Sequence, residues 1–265
     1  MNDKYGIKQL FPSVGLEWFN TWDNNQRRKL GKTVEQDPYD SRFSVTSGSP
    51  NSDITIIGDG SAQFRSSVPV SNIRLWVQGP WTNTEMTVFT KKIRLQRDIQ
   101  LRSRSNHLQS GVPYQCVFGD YLVNYNGTDG NVNISCEPMH PIYKKYIIKK
   151  PFTDFPNNEY VGFKQVTRTV DNNKVKVEGY YNTGDKTLWS KLIEYTFDGT
   201  LQAPILTKEE EQYRQKCIDK GDKVANDLRK SMLWLKEGKY CWLRLNESTG
   251  WNMRYFSVRE IAPLS

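Results

Sequence analysis

The segment YQCVFGDYLVNYNGTDGNVNISCE, residues 114–137, decides the fold of this chain. Residues 114–123 are rich in the aromatic and β-branched residues that are typical of strands, and residues 131–137 contain the β-branched Val132 and Ile134. Asp129-Gly130, which lies between them, is a preferred turn sequence of β-hairpins. The segment therefore predicts two antiparallel strands joined by a short turn.

The strand that precedes this hairpin, residues 99–105, alternates polar and apolar residues. Because successive side chains of a strand point to opposite faces, the alternation predicts that Gln100, Arg102 and Arg104 lie on one face. Pairing of the hairpin strands would also bring four further polar residues toward one edge of the sheet: His107, Glu137, His140 and Tyr143. A base, an acid and cationic partners are the groups that proton transfer on an anionic substrate needs.

The rest of the chain repeats the strand pattern. Turn residues separate the predicted strands roughly every 8 to 12 residues, which is the spacing of a sandwich or barrel. We predict an all-β fold, a two-sheet antiparallel β-sandwich of the jelly-roll type, in a single domain over residues 1–265. Residues 1–50 form a mixed N-terminal segment of that domain.

One segment departs from the strand pattern. Residues 208–235 begin with Glu209-Glu210-Glu211 and then carry apolar residues near helical spacing. This pattern predicts a helical insertion near residues 207–235. It is either one helix or two helices that are broken at Gly221.

The charge of the chain favours anionic partners. There are 37 Lys and Arg against 29 Asp and Glu, which gives a net charge of +8. The basic residues are scattered, and no basic run or zinc-finger spacing is present, so we predict no nucleic-acid partner. No apolar run approaches the length of a membrane span, so we predict no membrane span either.

The four cysteines show no CxxC spacing, and together with the two distant histidines they do not form a usual zinc site. Cys116 and Cys136 lie on the two hairpin strands and are predicted to form a cross-strand disulfide. Cys217 and Cys241 are either a second disulfide or two buried thiols. The even cysteine count and three glycosylation sequons, which begin at Asn126, Asn133 and Asn246, favour an extracellular or cell-surface location.

Several stretches of the chain resemble the alginate and glucuronan lyase-like polysaccharide lyases, which have a concanavalin A-like jelly-roll fold. The similar stretches are Gly6-Ile7-Lys8 with Pro12, the strand 81–91, Arg102-Ser-Arg-Ser-Asn-His107, Asp129-Gly130 with Glu137 and His140-Pro141, Gly162-Phe163-Lys164, Val175-Lys-Val-Glu-Gly-Tyr180, Trp189 with Glu194, and Ser257-Val-Arg-Glu-Ile261. They follow the order of such domains. The chain departs from the family in lacking Arg-Ser-Glu-Leu-Arg, Gln-Ile-His and Tyr-Phe-Lys-Ala-Gly runs.

The resemblance implies β-elimination at an acidic, uronate-containing polysaccharide, with no metal or redox cofactor. An arginine or asparagine would neutralise the uronate carboxylate, a histidine or tyrosine would remove the adjacent proton, and a tyrosine would protonate the leaving oxygen. The residues to which the resemblance assigns catalysis are His107, His140, Tyr143, Arg104 and Tyr180. The residues to which it assigns substrate binding are Arg102, Asn106, Tyr121, Glu137, Lys164, Lys176 and Glu178.

Two other functions fit the same sequence features. A groove that contains arginines and aromatic residues binds acidic sugars whether or not a base is present, which describes a non-catalytic glycan-binding domain. A surface or structural protein would keep the fold without the groove. The alternative role of Lys164, Lys176, Glu178 and Tyr180 is that of cross-strand pairs on the outer face of a sheet.

Overall fold

The computed structural model describes residues 1–31, 34–49, 52–92, 97–106, 116–151, 159–200 and 203–264. Its strands, numbered in chain order, are β1 Ser13–Phe19, β2 Arg28–Leu30, β3 Glu35–Asp37, β4 Asp40–Thr46, β5 Ser52–Ile56, β6 Ser61–Val70, β7 Ile73–Trp81, β8 Thr84–Lys92, β9 Asp98–Ser105, β10 Asp120–Asn126, β11 Val132–Met139, β12 Ile142–Lys149, β13 Val161–Val170, β14 Lys174–Asn182, β15 Ser190–Phe197, β16 Gly238–Asn246 and β17 Ser248–Ile261. Three helices, α1 Lys208–Asp219, α2 Lys223–Asn226 and α3 Leu228–Ser231, lie between β15 and β16.

The strands form two antiparallel sheets that pack as a sandwich, so the predicted fold class is confirmed. The nine-stranded sheet has the order β15-β14-β13-β8-β17-β6-β5-β2, with β1 pairing with β17. The eight-stranded sheet has the order β12-β11-β10-β9-β16-β7-β4-β3. Neighbours in space are distant in sequence, because β16 lies between β9 and β7, and β17 lies between β8 and β6.

The core fills the space between the two sheets. Alternate residues of the eight-stranded sheet, such as Leu101, Val123 and Ile134, belong to one buried apolar cluster with residues of the nine-stranded sheet, such as Val88 and Phe163. The remaining side chains of β9, β10 and β11 point to the outer face of the eight-stranded sheet. Many of these outer side chains are polar and nevertheless buried, and this combination marks the face that carries the candidate site.

The predicted hairpin is confirmed as β10 and β11, which pair from Asp120 opposite Glu137 to Tyr125 opposite Val132, although β10 begins at Asp120 and so later than predicted. The turn at residues 127–130 contains Asp129 and Gly130, and Gly130 has a φ of 72°, a conformation that glycine adopts without strain. On its other side β10 pairs with β9, so that Leu122 lies opposite Arg102. The three strands together place the ends of β9, β10 and β11 beside one another.

The predicted helical insertion is also confirmed. Thr207 and Glu210 form a capping box at the start of α1, which satisfies backbone donors that the first helical turn leaves without partners. The helix ends at Asp219, and Gly221 follows with a φ of 80°. The break therefore occurs at the glycine that the sequence indicated.

Both predicted disulfide pairings are wrong. Cys116 is bonded to Cys217 of α1, whereas Cys136 and Cys241 are buried free thiols. Cys136 lies opposite Tyr121 in the hairpin, whereas Cys116 precedes Tyr121 by five residues and so does not lie opposite Cys136. Cys136 and Cys241 both belong to the core between the sheets, where no other cysteine among the described residues reaches them.

Candidate functional site

The candidate site begins where β11 ends. Glu137 lies on the outer face of β11, and the chain then turns at His140 and Pro141, whose peptide bond is cis, into β12. The Glu137 side chain packs against Gly119, where an added Cβ atom would approach the Glu137 Cγ atom to 2.5 Å. Only glycine leaves room for the glutamate at this position.

Glu137 connects a histidine to an arginine. One carboxylate oxygen, Oε1, contacts His140 Nδ1, and the other, Oε2, lies 3.2 Å from Arg102 Nη1. A carboxylate accepts hydrogen bonds only, so its contact holds a proton on Nδ1 and leaves the lone pair of the imidazole on Nε2. The arrangement orients His140 in the tautomer that a general base requires.

Arg102 is a fully engaged cation. Its Nη1 donates to both carboxylate oxygens of Asp120 at 3.0 Å, and its Nη2 donates to Gln100 Oε1 at 2.7 Å. Burial and the nearby Glu137 carboxylate raise the pKa of Asp120 to about 6, although Arg102 acts in the opposite direction. Arg102 is therefore shared between two buried acids.

Arg74 and Arg244 lie next to Arg102 on the same outer face, but among the described residues neither has a carboxylate in direct contact. They are opposite each other in the β7–β16 pairing, and Arg244 is also opposite Gln100 of β9. Burial and the charge of Arg102 lower the pKa of Arg74 to about 10 and that of Arg244 to about 9. Two desolvated cations thus face each other on adjacent strands.

These residues line a pocket of about 330 Å³, which we call the His140 pocket. Its lining residues are Arg74, Gln100, Arg102, Glu137, His140, Pro141, Tyr143 and Arg244. Tyr143, at the edge of the pocket, is 42% exposed. The pocket combines an oriented imidazole, a phenol and more positive than negative charge, which suits acid–base chemistry on an anionic ligand.

Arg104 does not lie on the same face as Arg102, so that part of the strand prediction is wrong. The β9–β16 register shifts between Tyr240 and Trp242, and Arg104 has a φ of 52°, which turns its side chain to the other face. The buried guanidinium donates to the carbonyl oxygens of Thr82 and Trp234 and to Thr169 Oγ1. Arg104 therefore ties together loops and both sheets, away from the His140 pocket.

The tyrosines of the predicted site are also separated. The Tyr121 ring lies in the core between the sheets, where its hydroxyl donates to the carbonyl oxygen of Met232 and accepts from the backbone N–H of Trp234, both at 2.7 Å. Tyr180 lies on the nine-stranded sheet, and its hydroxyl donates to Glu178 Oε1 at 3.1 Å. Tyr143 is the only one of the three that lines the His140 pocket.

The predicted lysines occupy the nine-stranded sheet. Lys164 is buried against Glu85, and its ammonium group donates to the backbone carbonyl oxygen of Lys8. Lys176 forms a salt bridge of 2.9 Å with Glu194 on the neighbouring strand. Neither side chain shares the face on which His140 lies.

Two predicted residues follow β9. Asn106 accepts a hydrogen bond from the backbone N–H of Lys239 at 3.2 Å and so connects β9 to β16. His107 lies outside the described residues. The structure thus brings Arg102, Glu137, His140 and Tyr143 together out of the residues that the sequence indicated.

Arg74 and Arg244 were not predicted from the sequence. Each alternates with apolar core residues along its strand, with Ile73 and Leu75 on β7 and with Leu243 and Leu245 on β16, which indicates an outward-facing cation. Their positions in the chain are 170 residues apart, so their pairing follows only from the sheet order.

Neither a metal centre nor a membrane-spanning helix is found in the part of the chain that the structure describes. No group of three His, Cys, Asp or Glu residues within those ranges has the geometry to hold a metal ion. No helix there is long and apolar enough to cross a membrane.

No protein-family model matches the sequence, and no curated protein matches it. Among solved structures, a Bacillus subtilis protein of unknown function with a galectin-like fold is 9% identical, covers 96% of this chain and 100% of its own, and has a TM-score of 0.50. A β-glucanase from Bacillus licheniformis is 10% identical over 94% of this chain and 99% of its own, with a TM-score of 0.46. The PL-14 alginate lyase from Aplysia kurodai is 7% identical over 83% and 87%, with a TM-score of 0.42. Likeness at this level of identity concerns the fold alone.

Proposed function

We propose that this chain is a polysaccharide lyase that cleaves an acidic, uronate-containing glycan by β-elimination in the His140 pocket. One observation carries the proposal: His140, oriented by Glu137, shares a pocket with Tyr143 and with cations that outnumber the acids. The sequence resemblance described above supports the same reaction. The Cys116–Cys217 disulfide supports an extracellular location, because disulfides persist in oxidising compartments.

In the proposed reaction, positive charge in the pocket neutralises the uronate carboxylate, so that the proton on the adjacent carbon becomes more acidic. His140 Nε2 takes that proton, the electron pair of the broken C–H bond forms a carbon–carbon double bond, and the pair of the glycosidic C–O bond leaves with the oxygen. Tyr143 donates a proton to that oxygen. Glu137 holds the imidazole in the required tautomer and stabilises it when it becomes positively charged.

The activity is tested by incubating the protein with alginate, polyglucuronate, pectate and hyaluronate while the absorbance of new unsaturated ends is recorded. His140→Gln is expected to lower turnover by about 10² to 10⁴-fold with little change in binding, because proton transfer occurs only in the transition state. Tyr143→Phe is expected to lower turnover without preventing binding. Tyr39→Phe is the matched control, since Tyr39 is an exposed tyrosine that does not line the pocket.

A second candidate, a non-catalytic glycan-binding domain, has one observation in its favour. Arg102, which lies in the stretch that resembles the lyases, is occupied by Asp120 and Glu137 and is not open to a substrate carboxylate. In that case the acidic glycans bind and no unsaturated ends appear. If none of the four glycans binds, both functions are rejected and a structural or surface role takes their place.

A further inference from the structure

The arginine pair on the outer face of the eight-stranded sheet has an unusual register. Arg74 of β7 and Arg244 of β16 are directly opposite each other, and such cross-strand positions have Cβ atoms about 4.5 to 5.5 Å apart. Like charges in this position lower the stability of a sheet. The arginine pair therefore does not contribute to the stability of the sheet through its charges, which suggests a role in binding.

The nearby acids make their direct contacts with Arg102 and not with this pair. Asp120 and Glu137 both contact Arg102, whereas the Nε of Arg244 donates to the amide oxygen of Asn246 at 3.0 Å. The Nη2 of Arg244 donates to another neutral group, the amide oxygen of Asn72. Both guanidinium groups therefore keep their full positive charge without a carboxylate against it within the described residues.

Arg74 shows that the pair has unused hydrogen-bonding capacity. The residue is only 7% exposed, yet its Nε and Nη1 have no hydrogen-bond partner among the described residues. The indole Nε1 of Trp76, two residues along the same face of β7, is likewise buried without a partner there. Buried donors without acceptors are rare and costly, and they indicate a position where a ligand supplies the acceptor.

We infer that Arg74 and Arg244 form an oxyanion-binding pair that holds a carboxylate or sulfate group of a ligand in the His140 pocket. The buried atoms without partners, Arg74 Nε and Nη1 and Trp76 Nε1, are all hydrogen-bond donors, so they suit a ligand group that only accepts hydrogen bonds. Guanidinium forks match the geometry of such oxyanions. The inference deepens the proposed function, on which it rests for the identity of the ligand as a glycan, and it assigns the anion to this pair and not to Arg102.

The pair predicts an unusual combination of effects. Removing either cation relieves repulsion and desolvation when no ligand is present, so the melting temperature of the ligand-free protein should stay the same or rise. The same change removes donors to the anion, so affinity should fall by about tenfold or more. A purely structural arginine would show the opposite pattern, with a lower melting temperature and unchanged affinity.

The test measures affinities for inorganic sulfate, methyl glucuronide, glucose 6-sulfate and neutral methyl glucoside by calorimetry, with thermal unfolding of each variant alongside. The variants are Arg74→Met and Arg244→Met, with Arg42→Gln as control because Arg42 is an exposed arginine on the adjacent strand β4. Arg74→Lys keeps the charge but loses the planar fork, so it should restore only part of the affinity. The two charged sugars distinguish a carboxylate from a sulfate ester.

Loss of anion affinity in both Met variants, with Arg42→Gln unchanged, supports the pair. Equal binding of the neutral glucoside, or wild-type affinity in the Met variants, overturns it. If a variant does not fold, the wild type decides: sulfate must raise its melting temperature more than chloride does at equal ionic strength. Turnover is scored separately: if the wild type binds the anions but forms no unsaturated ends, or if His140→Gln keeps wild-type turnover, the reaction is rejected and the pair stays in place.

Discussion

Removal of the disulfide between Cys116 and Cys217 is expected to lower the free energy of unfolding by about 3 to 5 kcal/mol. The bond joins residues that are 101 positions apart in the chain. Closing a loop of that length removes entropy from the unfolded chain worth about 4.7 kcal/mol at 25 °C, and measured effects generally fall at or below such values. The double variant Cys116→Ala, Cys217→Ala is the perturbation, because alanine buries no new polar group.

The same bond has a local effect on the candidate site. Cys217 belongs to a small buried cluster with Met139 and Ile142, the residues on either side of the turn at His140. The backbone N–H of His140 also donates to the carbonyl oxygen of Val117, the residue after Cys116, at 3.2 Å. Loss of the disulfide should therefore loosen the helical insertion and the turn at His140 before it affects the core between the sheets.

Equilibrium unfolding in urea, followed by far-ultraviolet circular dichroism and tryptophan fluorescence, measures the effect. Reductant should destabilise the wild type and leave the double variant unchanged. Cys136→Ala is the matched control, because it removes a buried free thiol and should respond to reductant as the wild type does. A double variant within about 1 kcal/mol of the wild type would refute the loop-entropy reasoning, since that value lies far below the expected range.

Three further predictions concern buried groups. As the pH falls through about 6, Asp120 takes up a proton and the negative charge beside the pocket is lost, so anion affinity should rise. Asp120→Asn should abolish that rise when both forms are compared in the His140→Gln background, so that the comparison does not involve His140. Glu85→Gln should lower the free energy of unfolding in urea by about 3 to 5 kcal/mol, because it leaves Lys164 and Arg259 as buried cations. Lys164→Met should lower it distinctly less, since the contact of 2.8 Å between Arg259 and Glu85 remains, and equal losses would contradict this. Gly119→Ala should lower the free energy of unfolding by about 1 to 3 kcal/mol and lower any turnover, because the new methyl group displaces the Glu137 side chain from His140. Unchanged stability would show that the structure accommodates the methyl group and would contradict the prediction.

Local sequence signals were sufficient for the central hairpin and for the first helix of the insertion. Alternation along residues 99–105 predicted β9, and the strand-like segments on either side of Asp129-Gly130 predicted the hairpin that the structure contains. The helical spacing after Glu209-Glu210-Glu211 predicted α1, and Gly221 predicted its end. These features depend on neighbours a few residues away, so the sequence alone determines them.

Half of the candidate site could be predicted in the same way. Glu137, His140 and Tyr143 lie within seven residues of one another, and Arg102 lies opposite the hairpin strand β10, so a correct hairpin is enough to bring them together. The face of Arg104 could not be predicted, because it depends on a register shift against β16, a strand more than 130 residues away. A single irregularity of this kind reverses the direction of a side chain.

Only the tertiary structure decided the disulfide and the arginine pair. Cys116 meets Cys217 because the helical insertion folds back onto the turn at His140, and Arg74 meets Arg244 because β16 inserts between β9 and β7. Partners at such separations are chosen by the packing of whole strands and helices, since each apolar face must be buried against another one. Local residue patterns determine which face of an element is apolar, but they carry no information on which distant element will cover it.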